Sequence, residues 1–147
     1  KIFGIGPELK YLKKKAKPNI EFLGQISEEE KAELFGGARA YINPQLEDFG
    51  ITAVEAMASG RPVIAYSQGG AAETVIAGET GQFFYRQTWE SLLDALLNFN
   101  YENWDGNKIR EHAAKFDSNN FKISLKKFVD DRYEEFKHGL NQGALIK

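Results

Sequence analysis

From Lys1 to Tyr85 the chain switches back and forth between short apolar runs of strand type and segments of helical spacing. "KIFGIG" (1–6) reads as a strand, Pro7 suits a first helical turn, and residues 8–17 read as a lysine-rich helix. "NIEFLG" (19–24) alternates as a second strand. Ser27 followed by Glu30 has the spacing of a capping box, and the helix it opens is expected to stop at Gly36 and Gly37. "ARAYINP" (38–44) reads as a strand, 51–59 as a helix closed by Gly60, "PVIAY" (62–66) as a buried strand, "GGAAETVI" as a turn into a short helix, and "GQFFY" (81–85) as a last strand. Such an alternation can bury its strands only as an α/β domain with a parallel sheet and right-handed crossovers.

Beyond residue 85 the pattern is helical. "TWESLLDALLNF" (88–99) carries apolar residues at helical spacing, and residues 107–115 read as a shorter polar helix. Ser118 or Asn119 is the expected cap of a final helix. Its stripe of Phe121, Leu125, Phe128, Val129 and Phe136 falls mostly on one face, to be buried in the core or against another lobe. The tail 139–147 has no clear period and is expected to fray.

Composition excludes several function classes. A net charge of −2 gives no general attraction to nucleic acid, so an anionic ligand must be held by local geometry. The basic run Lys10, Lys13, Lys14, Lys15 and Lys17 lacks an aromatic platform and reads as a solvated helix face. With no cysteine there is no disulfide or thiolate chemistry, and His112 and His138 lie too far apart to point to a metal site. No apolar run reaches the roughly 18 residues of a membrane span. The first residue is Lys1 and the opening run is already strand-like, so the sequence is expected to be a piece of a longer protein.

The segment "LEDFGITAVEAMASG" (46–60) is the most specific feature. Gly50 permits an unusual φ or close backbone approach. If the helix starts near Ile51, the amides around Gly50 to Ala53 have no intrahelical partner and face outward, where the dipole also favours an anion. Glu47 precedes this start and Glu55 lies one turn beyond it. Eight helical residues span roughly 12 Å, so a diphosphate on the helix start would have a polyol-binding acid near each end. Polyol–diphosphate–polyol describes a nucleotide sugar. Acids near a helix start also serve simply to complement the dipole, and the residues alone leave both readings open.

The run from "GIGPE" through "NIEFLGQISEEEKAELFGGARAYINPQLEDFGITAVEAMASGRPVIAYSQGGAAETVIAGETGQFF" resembles the C-terminal, donor-binding lobe of GT-B glycosyltransferases of family 4. Glu47 and Glu55 match the spaced glutamates of that signature, as do Phe49, Gly50, Ala56, Met57, Gly60 and Pro62, and downstream Gly69, Gly70, Glu73, Val75, Gly78, Thr80 and Gly81. The resemblance is strong over residues 1 to about 85 and weak beyond. It implies a Rossmann-like parallel sheet with helices on both faces and a helical C-terminal extension, forming a lobe over 1–138, with the N-terminal acceptor lobe outside this chain. "EDFGI" and "GGAAETVI" look most like mannosyltransferases of bacterial and archaeal polysaccharide assembly, which implies GDP-mannose; a UDP-sugar is the other donor considered.

By this resemblance Glu47 is the acid of the catalytic centre, contacting hydroxyls of the donor hexose, and is not a nucleophile. Phe49, Gly50 and Ile51 line sugar and phosphate, the Ile51 and Thr52 amides and the Thr52 hydroxyl hold the diphosphate, and Glu55 accepts from the ribose. Gly4 and Gly6 form either a cleft loop or a plain turn. Gly24, Gln25 and Ile26 either border the base or form a plain strand-to-helix loop. Arg61 is expected at the surface. The implied activity is that of a retaining glycosyltransferase needing neither metal nor other cofactor, acting on a glycan or lipid-linked acceptor, cytoplasmic or peripheral on the cytoplasmic membrane face. The arginine and lysine that relatives direct at the leaving diphosphate have no match here, so this chain alone is expected to turn nothing over. The alternatives are a non-catalytic nucleotide- or sugar-phosphate-binding module and a dehydrogenase-type domain. Leu9 at the third glycine position of a dinucleotide fingerprint disfavours the latter.

Overall fold

Strand pairing in the computed structural model, which describes residues 1–143, is parallel throughout. β1 (Ile2–Phe3) lies beside β2 (Phe22–Gly24), while β3 (Tyr41–Asn43), β4 (Val63–Tyr66) and β5 (Gly81–Phe84) form a second sheet in the order β3-β4-β5. Seven α-helices occur among the described residues: α1 (Leu9–Lys15), α2 (Glu28–Gly37), α3 (Ile51–Ala58), α4 (Ala71–Thr74), α5 (Trp89–Leu97), α6 (Gly106–Ala113) and α7 (Ser118–Gly143). The expected sheet therefore comes in two parts. Between β1 and β3 the connection is made by side chains: Phe35 of α2 meets Phe3 and Tyr41 edge-on, with ring centroids 6.1 and 5.4 Å apart.

The β4 strand shows why helices cover both faces. Val63 and Ala65 point one way, into a core with Ala53, Ala56 and Met57 of α3, Phe35 of α2, and Ile109 and Ala113 of α6. Ile64 points the other way, packing with Phe84 and with Ala95 of α5. A strand buried on both sides must be apolar at every position, which "VIAY" satisfies. The first strand is shorter than its apolar run because Gly4 turns the chain at φ 101°.

Local chemistry fixes the helix ends. At α2 both halves of the capping box form: the Glu30 amide donates to Ser27 Oγ at 3.2 Å and the Ser27 amide to Glu30 Oε2 at 2.7 Å. Gly36 and Gly37 do end this helix. They are its last turn, and the chain leaves through the extended Ala38. At the C-terminus of α3, Gly60 takes φ 74°; its N–H reaches Met57 O at 2.8 Å and the Arg61 N–H reaches Ala56 O at 3.0 Å, the paired bonds of a Schellman stop.

Three expectations about α7 are revised. Its cap is Asp117, whose carboxylate accepts from the Asn120 amide at 2.7 Å, rather than Ser118 or Asn119. An aspartate one residue earlier offers the same acceptor with a full charge. The aromatic stripe is not core: Phe121, Phe128 and Phe136 are 63%, 61% and 62% exposed. Helical periodicity marks an apolar face but not what covers it. The helix continues through Gly143, past the Gly139 at which the tail was expected to begin; residues 144–147 lie outside the described residues.

Candidate functional site

The segment between β3 and α3 follows the carboxyl end of its strand, where ligands bind in parallel α/β sheets. Gly50 is the N-cap of α3 and takes the left-handed conformation, φ 81° and ψ 55°. A glycine cap has no side chain to fold back on the helix, and no side-chain cap bond forms. The Gly50 carbonyl accepts from Ala53 at 3.0 Å and Val54 at 3.4 Å, while the Ile51 and Thr52 amides have no acceptor among the described residues. Two N–H groups at the positive end of the helix are thus left free.

The loop is held from behind by the glycine pair after β4. The Gly70 amide donates to Glu47 O at 2.7 Å. A Cβ on Gly70 would lie 2.5 Å from the Asp48 and Phe49 carbonyl oxygens, and one on Gly69 2.5 Å from Glu47 O. Only glycines allow this backbone-on-backbone contact. On its other side Phe49 meets Phe116 edge-on at 6.0 Å, Phe116 meets His112 at 5.5 Å, and His112 Nε2 lies 2.8 Å from Thr74 O. His112 therefore braces the loop through Phe116.

Glu47 and Glu55 flank the free amides and differ in their partners. Glu47 is half-buried and accepts from Gln45 Nε2. Its Oε2 lies 3.4 Å from the point a Gly50 Cβ would occupy, with Asn43 Nδ2 3.7 Å from the same point. Asn43 is fully buried at the end of β3, and neither its amide nitrogen nor its oxygen has a hydrogen-bond partner among the described residues. Glu55 is bound by Lys31 of α2, whose Nζ lies 3.0 Å from Oε1 and 2.9 Å from Oε2. The same ammonium reaches Glu28 Oε2 at 2.7 Å. The hydrogen bonds that Lys31 donates to Glu28, and then to Glu55, raise its pKa. Glu28, Lys31, Phe35, Glu55 and Ser59 line a small cleft of about 110 Å³.

Tyr41 connects the two acids. Burial first, and the Glu47 charge second, push its phenol up to about 12; Glu55 adds to this, while the Thr52 hydroxyl and Lys31 oppose it. A single hydroxyl thus senses Glu47, Thr52, Glu55 and Lys31. Tyr41, Lys31 and Asn43 were missed in the sequence, where they read as strand and helix positions. The one available signal was polar Asn43 closing an apolar strand.

The remaining candidates stand apart. Gly4 and Gly24 are joined to each other, amide to carbonyl, at 2.6 Å, with φ 101° and 73°, closing the ends of β1 and β2. Gly6 accepts from Leu9 at 3.2 Å as α1 starts. Gln25 is exposed and Ile26 half-buried between β2 and α2. No hydrogen bond among the described residues ties these loops to α3. Arg61 is not free surface: it donates to Gly36 O and, at 2.7 Å, to the Tyr101 hydroxyl. A larger cavity of about 400 Å³, lined by Arg39, Ile42, Leu96, Phe99 and Tyr101 among others, touches neither acid.

Residues 1–122 match the family described as Glycosyl transferases group 1. The alpha-1,3/1,6-mannosyltransferase ALG2 of Dictyostelium discoideum is 44% identical over 79 residues, covering 50% of this chain and 19% of that protein. Among solved structures, sucrose-phosphate synthase of Thermosynechococcus elongatus superposes with a TM-score of 0.73 at 29% identity, covering 87% of this chain and 34% of that one. Anabaena HepE in complex with UDP-glucose gives 0.61 at 22% identity, covering 90% and 40%. The chain thus spans about a fifth of the length of this curated relative.

Proposed function

The chain belongs to the group 1 glycosyl transferases, and from that premise we propose that it forms the donor-binding part of an enzyme that moves a hexose from a nucleoside diphosphate to an acceptor hydroxyl. The observation that carries this reading is the uncapped start of α3, with its free Ile51 and Thr52 amides between Glu47 and Glu55. The amides and the helix dipole meet the diphosphate, whose charge grows as the glycosidic bond breaks. Because Gly50 holds them in place beforehand, no reorganisation is needed at that moment. Glu47, beside Phe49 and Gly50, takes hexose hydroxyls, and Glu55 takes the ribose. The reading assigns no metal to this step. Gly4, Gly6, Gly24, Gln25 and Ile26 remain proposed borders of the nucleotide cleft.

The mannosyltransferase relative supports mannose as the hexose, and GDP-mannose is the donor proposed with it. The complex of HepE with UDP-glucose supports the wider class of nucleotide sugars. The acceptor is proposed to be a glycan or a lipid-linked chain. No helix among the described residues is long and apolar enough to cross a membrane.

Calorimetric titration of the intact protein tests the reading. GDP or UDP is expected to bind and NAD is not; binding of NAD alone would overturn it. With free GDP, Glu55→Ala is expected to cost more affinity than Glu47→Ala, because only the hexose needs Glu47. Equal losses would remove the assignment of the two acids. Competition between GDP-mannose and UDP-sugars then decides the donor.

A further inference from the structure

The ion pair on Glu55 bears on how the proposed ribose site opens. Lys31 Nζ lies within 3.0 Å of both carboxylate oxygens of Glu55, so it occupies the chelating side of that group. A vicinal diol binding a carboxylate through both oxygens needs that same side. Lys31 donates its hydrogen bond to Oε1, while Oε2, in ion-pair contact with the same ammonium, accepts no hydrogen bond and is shut off from solvent, although the Glu55 side chain as a whole is 33% exposed. Lys31 is itself only 16% exposed, held in the cleft between α2 and α3. It already has somewhere to go: Glu28 Oε2, 2.7 Å away on an 80% exposed side chain, lies one turn back on the same helix.

We propose that Lys31 is a latch on Glu55, which a ribose diol displaces onto Glu28. The inference rests on the ribose role of Glu55 given above. Lys31 is then a residue that offsets part of the gain from the ribose hydroxyls without binding the ribose. The ammonium keeps the carboxylate charged and in place while the site is empty. It also sets a threshold: a ligand must offer two hydroxyls to replace a bidentate ion pair, and one lacking them leaves the latch closed. Once Lys31 moves to Glu28 alone it keeps a charged partner, so opening leaves no ammonium unpaired in the cleft.

The test compares the affinity of GDP with that of 2′,3′-dideoxy-GDP for the intact protein, the ratio measuring ribose discrimination. Lys31→Met removes the competitor, and discrimination is expected to rise by about 2- to 5-fold, the scale of a partly exposed ion pair. Glu28→Gln, at an exposed position that folding tolerates, removes the landing partner and is expected to lower discrimination. A ratio unchanged or lowered in Lys31→Met overturns the latch. Should that variant not fold, an unchanged ratio in Glu28→Gln overturns it equally. The parent reading fails separately, and takes the latch with it, if the unsubstituted protein binds neither nucleotide or if Glu55→Gln discriminates as well as it does.

Discussion

Three residues carry consequences out of proportion to their size. Gly70 has an ordinary helical φ of −59°, so its glycine is required by space and not by conformation. An alanine there would push on the Asp48 and Phe49 carbonyls. Gly70→Ala is expected to cost about 1–3 kcal/mol in denaturant unfolding, as overpacking does, and to weaken nucleoside diphosphate binding by displacing the loop before α3. Tyr41 gives the site a pH signature. Its folded pKa of about 12 exceeds the ordinary 10.0, so the folded state holds a proton that the unfolded chain has released. The corresponding stability is complete below pH 10 and falls as pH rises toward 12. Lys31, also raised, loses its stabilising contribution in the alkaline range above the ordinary 10.5. Tyr41→Phe is expected to flatten the alkaline limb of a stability-versus-pH curve between pH 10 and 12; an unaltered limb would show that the phenol is not held as described. Asn43 is the third, a buried amide with unused hydrogen-bonding capacity beside Gly50 and Glu47. Such groups are rare because each unpaired buried atom costs about 1–3 kcal/mol.

Among the elements, α2 and α3 do opposite things with their N-termini. The start of α2 is closed on itself by Ser27 and Glu30, which satisfy each other's amides. Ser27→Ala is expected to cost about 1 kcal/mol, measured by chemical denaturation. The start of α3 is left open by Gly50 and is available to a ligand. The same contrast separates its two glycines: Gly60 completes bonds that end the helix, whereas Gly50 begins the helix without making any side-chain bond. The α7 helix illustrates the limit of reading elements one at a time. Its apolar face is as periodic as a core helix, yet it lies open in this chain. No described residue shows what covers it.

At the scale of the whole molecule, a ligand that binds only the folded chain must stabilise all of it. A nucleoside diphosphate at a hundredfold excess over its Kd is expected to add about 2.7 kcal/mol, readable as a rise in Tm, with NAD giving none. The layout that produces the site was largely legible beforehand. Strand–helix alternation gives parallel pairing because each helix carries the chain back to the end of the sheet at which the previous strand began, and glycine, proline and capping signals act within a few residues of where they stand. The acids at 47 and 55 and the open cap at 50 belong to one continuous segment, so their order along the chain was readable without the fold. What could not be read were contacts between segments distant in the chain: Lys31 on Glu55, Tyr41 beneath Thr52, the Gly69–Gly70 pair behind the loop, and Asp117 in place of Ser118 as a cap. The amino-acid order thus determined the local elements and the free amides, because these depend on backbone conformation over a single turn. Tertiary packing decided which charges meet and which apolar faces stay uncovered, since those follow from distances that sequence separation does not encode.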